Sequence, residues 1–230
     1  MVLCPGMANV MIDSMAINVC IPCCSKTICS ELIMDKNKQK QTRLTVASWN
    51  MQCKMRSGKT YAKELCNSAD FLAISEHGLY ECEMQKLENI HRDFMGFGKA
   101  DRHLDNKNHG KVKGYNGCGI IWRSSINNRV NRLPELGSDR ICVIKVKLTR
   151  YVGVYIIAIY LPHQSCKIAK FEDEVLELEK FIVECIKDGK ILIIGDGNVS
   201  FSSEYGPRGG SVTSRNAMCL INMLSKYNIY

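Results

Sequence analysis

A run of apolar residues that ends in a carboxylate and an amide places the strongest constraint on the fold of this chain. Residues 191–194 read Ile-Leu-Ile-Ile, and Asp196 and Asn198 follow just after them, each preceded by a glycine. Four such residues in a row are typical of a strand buried on both faces, as in α/β proteins. Because open α/β sheets place their chemistry at the carboxyl ends of strands, Asp196 and Asn198 are candidate site residues.

The spacing of these two residues is compatible with metal-assisted phosphate chemistry. On an extended backbone, Asp196 and Asn198 point to the same face. The aspartate can accept a proton or orient a cation-bound water, and the asparagine can donate an N–H to a phosphoryl oxygen. Asp-Gly-Asn is also ordinary turn composition, so the other strand ends must decide between a site and a turn.

Length and composition indicate one globular domain rather than two. The chain has 230 residues, of which 46% are apolar, enough to bury a full core. Lys and Arg outnumber Asp and Glu by 31 to 23, and the formal charge of +8 favours polyanionic partners without establishing nucleic-acid binding. Asp13 and Pro22 interrupt the apolar part of the N-terminus, so we expect neither a signal peptide nor a membrane anchor.

The 13 cysteines are odd in number and mostly isolated, which is typical of buried thiols in a reducing, intracellular compartment. Four of them cluster near the N-terminus, namely Cys20, Cys23, Cys24 and Cys29. This cluster could bind zinc, but no second pair lies at a finger-like spacing. We therefore favour an unstructured, cysteine-containing leader over residues 1–41, followed by a domain over residues 42–230.

Hydrophobic periodicity predicts alternating strands and helices along this domain. Strands are expected at residues 44–49, 71–75, 118–122, 141–148, 152–160 and 190–195, and helices at residues 59–67, 81–94, 168–186 and 215–227. The first strand, helix and second strand form a β-α-β unit, and the three strands between 118 and 160 form an antiparallel meander. Residues 96–116 are expected to be a long polar loop rich in Gly, Asn and Lys.

Several predicted strands end in a polar residue that apolar packing does not explain. Asn50 ends the first strand, Glu76 the second and Tyr160 the hairpin strand, while Asp196 and Asn198 end the last. Each has an ordinary alternative: Asn50 could cap a turn, Glu76 could lie on an exposed loop, and Tyr160 could be a core aromatic. The recurrence of carboxylates, amides and a tyrosine at strand ends favours one shared site.

The order and setting of these strand ends resemble the endonuclease/exonuclease/phosphatase superfamily, which includes apurinic endonucleases, DNase I-like nucleases and the endonuclease domains of non-LTR retrotransposons. The matching segments, at residues 46–50, 72–76, 117–122, 159–162 and 194–198, read VASWN, LAISE, GCGIIW, IYLP and IGDGN. The distances between them, together with the segment YGPRG at 205–209 and the helix start at Arg215, are most similar to the retrotransposon endonucleases.

The resemblance implies a four-layered α/β sandwich, in which two packed mixed sheets lie between helices, and hydrolysis of phosphodiesters with Mg²⁺ or Mn²⁺. It implies that Glu76 holds the cation, with Asn50 beside it as a direct or indirect ligand. Tyr160 would hydrogen-bond the scissile phosphate, Asp196 would orient or deprotonate the attacking water, and Asn198 would steady the phosphate or that water. Because the cation offsets charge on the phosphoryl and leaving-group oxygens, no covalent nucleophile is needed.

The resemblance also implies DNA as the substrate, a nuclear location, and a reverse transcriptase domain in a longer parent chain. The predicted basic loop would contact DNA phosphates, although a merely solvated loop is the ordinary alternative. Its candidate contacts are Lys99, Arg102, Lys107, Lys111 and Lys113. His163, where many relatives carry Asn, is a further candidate phosphate contact.

Two departures from the family pattern bear on activity. Gly197 occupies a place that a bulky residue usually takes, and its backbone freedom predicts lower activity. The family completes its site with a further Asp and a late Asp-His pair, whereas Glu204 is the only Asp or Glu after Asn198, and no histidine follows His163. We therefore expect a domain that lacks its last strands, with an open sheet edge and impaired cleavage.

The sequence is also compatible with two other functions. A catalytically dead remnant of the fold could bind nucleic acid or a protein without cleaving it. The same fold could also act as a phosphatase on a small phosphorylated molecule, such as an inositol phosphate or a sphingolipid. Against the phosphatase, we find no lipid-facing segment, and the motifs are closer to those of the retroelement nucleases.

Overall fold

Two β-sheets lie face to face, with helices on their outer sides, in a computed structural model that describes residues 8–12, 15–19, 28–33, 43–100, 117–148, 152–163, 166–199 and 214–229. The strands are β1 Ala8–Ile12, β2 Met15–Val19, β3 Ile28–Ile33, β4 Arg43–Asn50, β5 Phe71–Ser75, β6 Phe94–Lys99, β7 Cys118–Arg123, β8 Val130–Ser138, β9 Ile141–Lys147, β10 Gly153–Tyr160 and β11 Lys190–Asp196. The helices are α1 Met55–Ser68, α2 Gln85–Glu88, α3 Ile168–Cys185 and α4 Arg215–Ser225. Two short 3-10 helices cover Glu81–Glu83 and Ser124–Arg129.

Both sheets are mixed. The first has the strand order β1-β2-β3-β4-β5-β7-β6, and the second has the order β11-β10-β9-β8. The pairs β4–β5 and β10–β11 are parallel, and the other pairs are antiparallel. Parallel neighbours point their carboxyl ends in one direction, so each sheet brings two chain segments to the same edge.

Three clusters of buried apolar side chains define the layers. The first cluster lies between the two sheets and includes Val46, Phe71, Ile120, Ile144 and Ile156. A second cluster joins the outer face of the first sheet to α1 and α2, and a third joins the second sheet to α3 and α4. The order helix, sheet, sheet, helix confirms the predicted four-layered α/β sandwich.

Most predicted elements lie where the hydrophobic pattern indicates them. In α3 the buried residues Phe171, Val175, Leu178 and Ile182 recur every three or four positions and face the second sheet. Helix α1 begins at Met55, before the predicted start. Its first turn contains Gly58, a position where the Trp49 ring leaves no room for a Cβ. Within the described residues, no helix is long and apolar enough to span a membrane.

The predictions for the stretch that begins at residue 81 were partly wrong. The expected helix over 81–94 is broken into a 3-10 turn and the single turn α2, and Phe94 begins β6. Strand β6 also takes the first four residues of the expected polar loop. The prediction failed because of the glycines in β6: a Cβ on Gly98 would lie 2.4 Å from a methyl carbon of Leu87, and a Cβ on Gly96 would lie 3.1 Å from a methyl carbon of Ile121. Glycine here allows α2 to pack closely on the strand.

The predicted meander was also partly wrong. Strand β7 belongs to the first sheet, between β5 and β6, and the antiparallel meander is formed by β8, β9 and β10. Strand β8 was not predicted, because its partly buried residues Val130, Leu133 and Leu136 recur every three positions instead of every two. A register shift between Arg132 and Gly137 produces this spacing.

The N-terminal leader differs from the expectation of a segment without regular structure. Strands β1, β2 and β3 extend the first sheet, and β3 pairs antiparallel with β4 from Ile28 opposite Ser48 to Ile33 opposite Arg43. An unpaired β4 would present its backbone groups at a sheet edge, and β3 satisfies them. Cys20, Cys23 and Cys24 lie outside the described residues, and the domain boundary at 42 and the expected lack of final strands stay predictions.

Candidate active site

The two sheets meet at a rim formed by the carboxyl ends of β4, β5, β10 and β11. In the first sheet Asn50 lies opposite Ser75, and in the second Tyr160 lies opposite Asp196. The Ser75 hydroxyl donates to the Ile159 carbonyl at 3.1 Å in a buried hydrogen bond. This bond joins the two sheets through the residues that directly precede Glu76 and Tyr160.

The amide of Asn50 connects two carboxylates that come from different sheets. Its Nδ2 donates to Glu76 Oε1 at 2.9 Å and to Asp196 Oδ2 at 2.7 Å. Its Oδ1 accepts the Gln52 backbone N–H at 2.9 Å. Asn50 thus holds Glu76 and Asp196, residues that are 120 positions apart in the sequence, within the reach of one side chain.

Glu76 occupies a backbone conformation that few glutamates adopt. Its φ is +51°, in the left-handed region, directly after the buried Ser75. This conformation costs about 1–2 kcal/mol for a residue with a Cβ. The Cys53 N–H donates to the Glu76 carbonyl at 2.7 Å, and the Met51 N–H donates to the Ser75 carbonyl at 2.8 Å. These contacts with the β4–α1 loop hold the strained turn.

Tyr160 joins the same cluster through its hydroxyl, which hydrogen-bonds to the Glu76 carboxylate. Partial burial, followed by the negative charge of Glu76 and this hydrogen bond, raises the pKa of Tyr160 well above its usual value. The hydroxyl is therefore neutral at physiological pH and is a hydrogen-bond donor.

Asn198 organises the loop after β11. Its backbone N–H donates to Asp196 Oδ1 at 2.9 Å, and its Nδ2 donates to the Leu161 carbonyl at 2.8 Å. Its φ of +48° turns the chain back towards the end of β10. The structure therefore brings all five predicted catalytic residues, Asn50, Glu76, Tyr160, Asp196 and Asn198, to one rim.

Two charged or titratable residues near this rim were missed by sequence reasoning. Arg140 is buried just before β9, where its Nη1 donates to the Tyr160 carbonyl at 3.2 Å and its Nε lies 3.4 Å from Glu174 Oε1. His77, next to Glu76, is fully buried. A lone arginine before an apolar strand and a histidine after a strand-end glutamate are the only sequence cues, and neither indicates burial.

The imidazole of His77 is neutral and is held at both nitrogens. The Leu79 N–H donates to Nδ1 at 3.0 Å, so the ring proton is on Nε2, which lies 3.1 Å from the Lys99 carbonyl. Burial is the main cause that lowers the pKa of His77 to about 4, against the weaker opposite effect of the Lys99 and Cys118 backbone groups.

Only two of the predicted nucleic-acid contacts lie in the described part of the chain. Lys99 ends β6, and its ammonium donates to the Pro134 carbonyl and lies 5.9 Å from the centre of the Phe97 ring. His163 is exposed in the loop that follows β10. The remaining four fall outside the described residues, namely Arg102, Lys107, Lys111 and Lys113.

A pocket of about 220 Å³ opens beside Asn50. Trp49, Gln52, Lys54 and Ser57 contribute to its lining, so it combines an aromatic ring, an amide, a cation and a hydroxyl. The Trp49 ring packs edge to face against the Tyr61 ring, with ring centres 5.2 Å apart. The pocket therefore lies next to Asn50, the residue that bridges the two carboxylates.

The oxygen donors at the rim fit a divalent cation of the Mg²⁺ type. Mg²⁺ is usually bound through one or two carboxylates together with water and substrate phosphates, and Glu76 and Asp196 provide two carboxylates. No cluster of three or more His, Cys, Asp or Glu residues that could hold a metal is found in the described part of the chain. Asn50 presents its nitrogen to both carboxylates and its oxygen accepts the Gln52 N–H, so in this arrangement it orients the two carboxylates.

No family model matches the sequence, and no curated protein matches it either. Solved structures do match. The endonuclease domain of TRAS1, a telomere-specific non-LTR retrotransposon, superposes with a TM-score of 0.54 at 15% identity, over 79% of this chain and 70% of that one. The AP endonuclease LMAP from Leishmania major gives a TM-score of 0.57 at 13% identity, over 80% of this chain and 66% of that one.

A third similar structure is the 3′ phosphatase NExo from Neisseria, bound to a product DNA hairpin, with a TM-score of 0.54 and 18% identity over 79% of this chain and 70% of that one. At such identities the likeness concerns the fold alone. The four layers, the mixed sheets and these three structural matches agree with one another. The chain therefore has the DNase I-like fold of the endonuclease/exonuclease/phosphatase superfamily.

Proposed function

We propose that this chain is a divalent-metal-dependent phosphodiesterase that acts on DNA, and that it is the endonuclease domain of a retroelement or of a domesticated relative. The observation that carries the proposal is the Asn50 bridge, which holds Glu76 and Asp196 at 2.9 Å and 2.7 Å across the two sheets. Two carboxylates and a neutral tyrosine at one rim are groups that metal-assisted phosphodiester hydrolysis can use.

In this proposal Glu76 holds the Mg²⁺ or Mn²⁺ ion, and Asp196 lies close enough to share it or to bind a water beside it. The bound cation would supply positive charge to the phosphoryl and leaving-group oxygens. Asn50 keeps both carboxylates in place through its Nδ2 and does not itself need to bind the ion.

The remaining residues would act on the phosphate and on the attacking water. Asp196 orients that water or accepts its proton. Tyr160, which its raised pKa keeps protonated, would donate its hydroxyl hydrogen to a phosphate oxygen in place of the Glu76 carboxylate, once that carboxylate held the cation. Asn198, fixed by Leu161, keeps the backbone N–H that steadies Asp196 in position.

DNA as the substrate is supported by three features. The structural matches include an endonuclease domain, an AP endonuclease and a 3′ phosphatase bound to a DNA product. The chain carries a formal charge of +8, which favours a polyanion. The pocket beside Asn50 contains Lys54 and an aromatic ring, a combination suited to a phosphate and a base.

The experiment is plasmid nicking at neutral pH with Mg²⁺, with Mn²⁺, and with EDTA. We expect the wild-type chain to nick supercoiled DNA slowly, in keeping with the impaired cleavage expected from its sequence, and only with a divalent cation. Glu76→Gln and Asp196→Asn should each lower the rate by at least a hundredfold, and the exposed carboxylate change Asp93→Asn should leave it unchanged. Nicking that persists in EDTA or in Glu76→Gln would contradict the proposed site.

The same preparation separates the other two functions. A catalytically dead remnant would bind labelled duplex without nicking it, and Glu76→Gln would bind equally well. A phosphatase would instead release phosphate from small phosphorylated substrates, such as an inositol phosphate, while plasmid remains intact. A duplex affinity that stays flat between low and moderate salt would rule out phosphate contacts by Lys99 and its basic neighbours, because such contacts weaken steeply with salt.

A further inference from the structure

His77 is a fully buried histidine that the proposed reaction does not use, although it is covalently next to the proposed metal ligand Glu76. The segment from Glu76 to Leu79, called the Glu76 turn here, is irregular backbone that follows β5, and two of its residues have left-handed backbone angles, +51° at Glu76 and +62° at Gly78. A turn of this kind persists only when surrounding contacts hold it. The imidazole of His77 supplies two of these contacts.

The first contact closes the turn on itself. His77 Nδ1 accepts the Leu79 N–H at 3.0 Å, which connects the residue after Glu76 with the end of the turn. The second contact fixes the turn to the first sheet, because Nε2–H donates to the carbonyl of Lys99, the last residue of β6, at 3.1 Å. One ring therefore fastens the turn internally and to a neighbouring strand.

The His77 ring also packs closely against Gly117. Gly117, directly before β7, has a φ of +91°, and a Cβ there would lie 2.2 Å from the His77 ring. The absence of a side chain at Gly117 allows the imidazole to lie against the backbone where β6 and β7 are paired through Lys99 and Cys118. The ring is thus wedged between the Glu76 turn and the β6–β7 edge.

We propose that His77 is a positioning residue for the metal carboxylate: its imidazole locks the left-handed Glu76 turn against β6 and β7, and so sets the affinity of the site for a divalent cation. The inference rests on the proposed function, since it assigns a role in metal binding to the contacts that hold the backbone next to Glu76. Groups that hold a metal ligand from behind commonly change metal affinity 10- to 100-fold when they are removed.

Three variants of His77 test the hydrogen bonds of its two ring nitrogens separately. In His77→Asn the side-chain oxygen takes the place of Nδ1 and keeps the Leu79 bond, and in His77→Gln the amide nitrogen takes the place of Nε2 and keeps the Lys99 bond. His77→Phe fills the space and keeps neither. His91→Gln is the matched control, because His91 Nδ1 also accepts a backbone N–H two residues on, from Asp93 at 3.1 Å, at a position remote from the rim.

The measurement is the Mn²⁺ dissociation constant of folded protein, read by paramagnetic relaxation of water protons without substrate. We expect His77→Phe to raise it about 10- to 100-fold, Asn and Gln to raise it less, and His91→Gln to leave it unchanged. A purely structural role would lower the melting temperature and leave the Mn²⁺ dissociation constant unchanged. Wild-type affinity in folded His77→Phe would overturn the inference.

A Glu76→Gln variant separates this inference from the proposed function. If Glu76→Gln leaves Mn²⁺ binding unchanged, the metal site itself is wrong. If Glu76→Gln removes binding while His77→Phe does not weaken it, only the role of His77 is wrong.

Should His77→Phe not fold, the wild-type chain provides the test through the exchange rate of the His77 Nε2 proton, measured by NMR with and without Mg²⁺. We expect Mg²⁺ to slow this exchange, because binding at Glu76 and ordering of the turn are coupled. An unchanged rate on saturation with Mg²⁺ would overturn the inference.

Discussion

The guanidinium of Arg140 lies 5.1 Å from the centre of the Tyr160 ring and donates to the carbonyl of the same residue at 3.2 Å. The Nε of the same guanidinium is paired with Oε1 of Glu174 in α3, at 3.4 Å. Both side chains are largely buried, with 8% and 16% of their surface exposed. Helix α3 is thereby connected, through one ion pair, to the tyrosine of the proposed site.

Removing one member of this pair should destabilise the protein strongly. Arg140→Met leaves the Glu174 carboxylate buried without its cation, and Glu174 Oε2 already has no hydrogen-bond partner within the described residues. We expect a loss of about 3–5 kcal/mol in the free energy of unfolding. The double variant Arg140→Met, Glu174→Leu should recover most of it. Urea unfolding of the three proteins checks this, and a double variant as unstable as Arg140→Met would contradict it.

Asn50→Asp should make the stability of the protein depend more strongly on a divalent cation. A third carboxylate would replace the amide that now donates to Glu76 and Asp196, so repulsion would replace two hydrogen bonds. In EDTA we expect stability to fall by about 2–3 kcal/mol. With millimolar Mn²⁺ the melting temperature should rise more than it does in the wild type. Equal Mn²⁺-induced shifts in the two proteins would argue against a cation between these carboxylates.

The two glycines that precede Asp196 and Asn198 should respond in opposite ways to alanine. Gly197 has room for a Cβ, since the nearest atoms would lie 3.5 Å and 3.6 Å away, so Gly197→Ala should stabilise the chain by about 0.4–1 kcal/mol. It should also increase nicking if backbone freedom at Gly197 lowers activity.

Gly195 has a φ of +138°, and a Cβ there would lie 2.1 Å from the Ile159 carbonyl oxygen, so Gly195→Ala should destabilise the chain by several kcal/mol. Thermal melts of both variants provide the comparison. A Gly195→Ala protein as stable as the wild type would show that the strand end tolerates the displacement.

His77 should make the chain sensitive to mild acid. Its pKa is lowered to about 4 in the folded protein, mainly by burial, against about 6.5 in an unfolded chain. Protons therefore bind preferentially to the unfolded state, and the contribution to stability is complete above pH 6.5 and is lost as pH falls towards 4. The expected loss is on the order of 3 kcal/mol.

The test compares urea unfolding of wild type, His77→Gln and His91→Gln in EDTA at several pH values between 7 and 4. The difference between wild type and His77→Gln should change by that amount across the window, because glutamine does not titrate. His91→Gln should follow the wild type. A His77→Gln curve parallel to the wild-type curve would show that His77 is not buried as a neutral ring.

The sequence by itself determined the strands and helices whose apolar residues follow a regular pattern. Strands β5 and β11 contain continuous apolar runs, and the buried residues of α3 recur with helical spacing, because two-sided or one-sided burial dictates those patterns. The polar residues at the strand ends, from Asn50 to Asn198, stood out for the same reason, since nothing in the packing of a strand explains them.

Only the tertiary structure decided which segments lie next to one another. Strand β6 was not predicted because its glycines make room for the close packing of Leu87. Strand β8 was not predicted because a register shift breaks the alternation of its side chains. The roles of Arg140 and His77 depend on burial and on carbonyl partners 20 and 22 residues away in the chain. Local pattern reports which side of an element is apolar, whereas the partner of a buried polar group is set by the packing of distant segments.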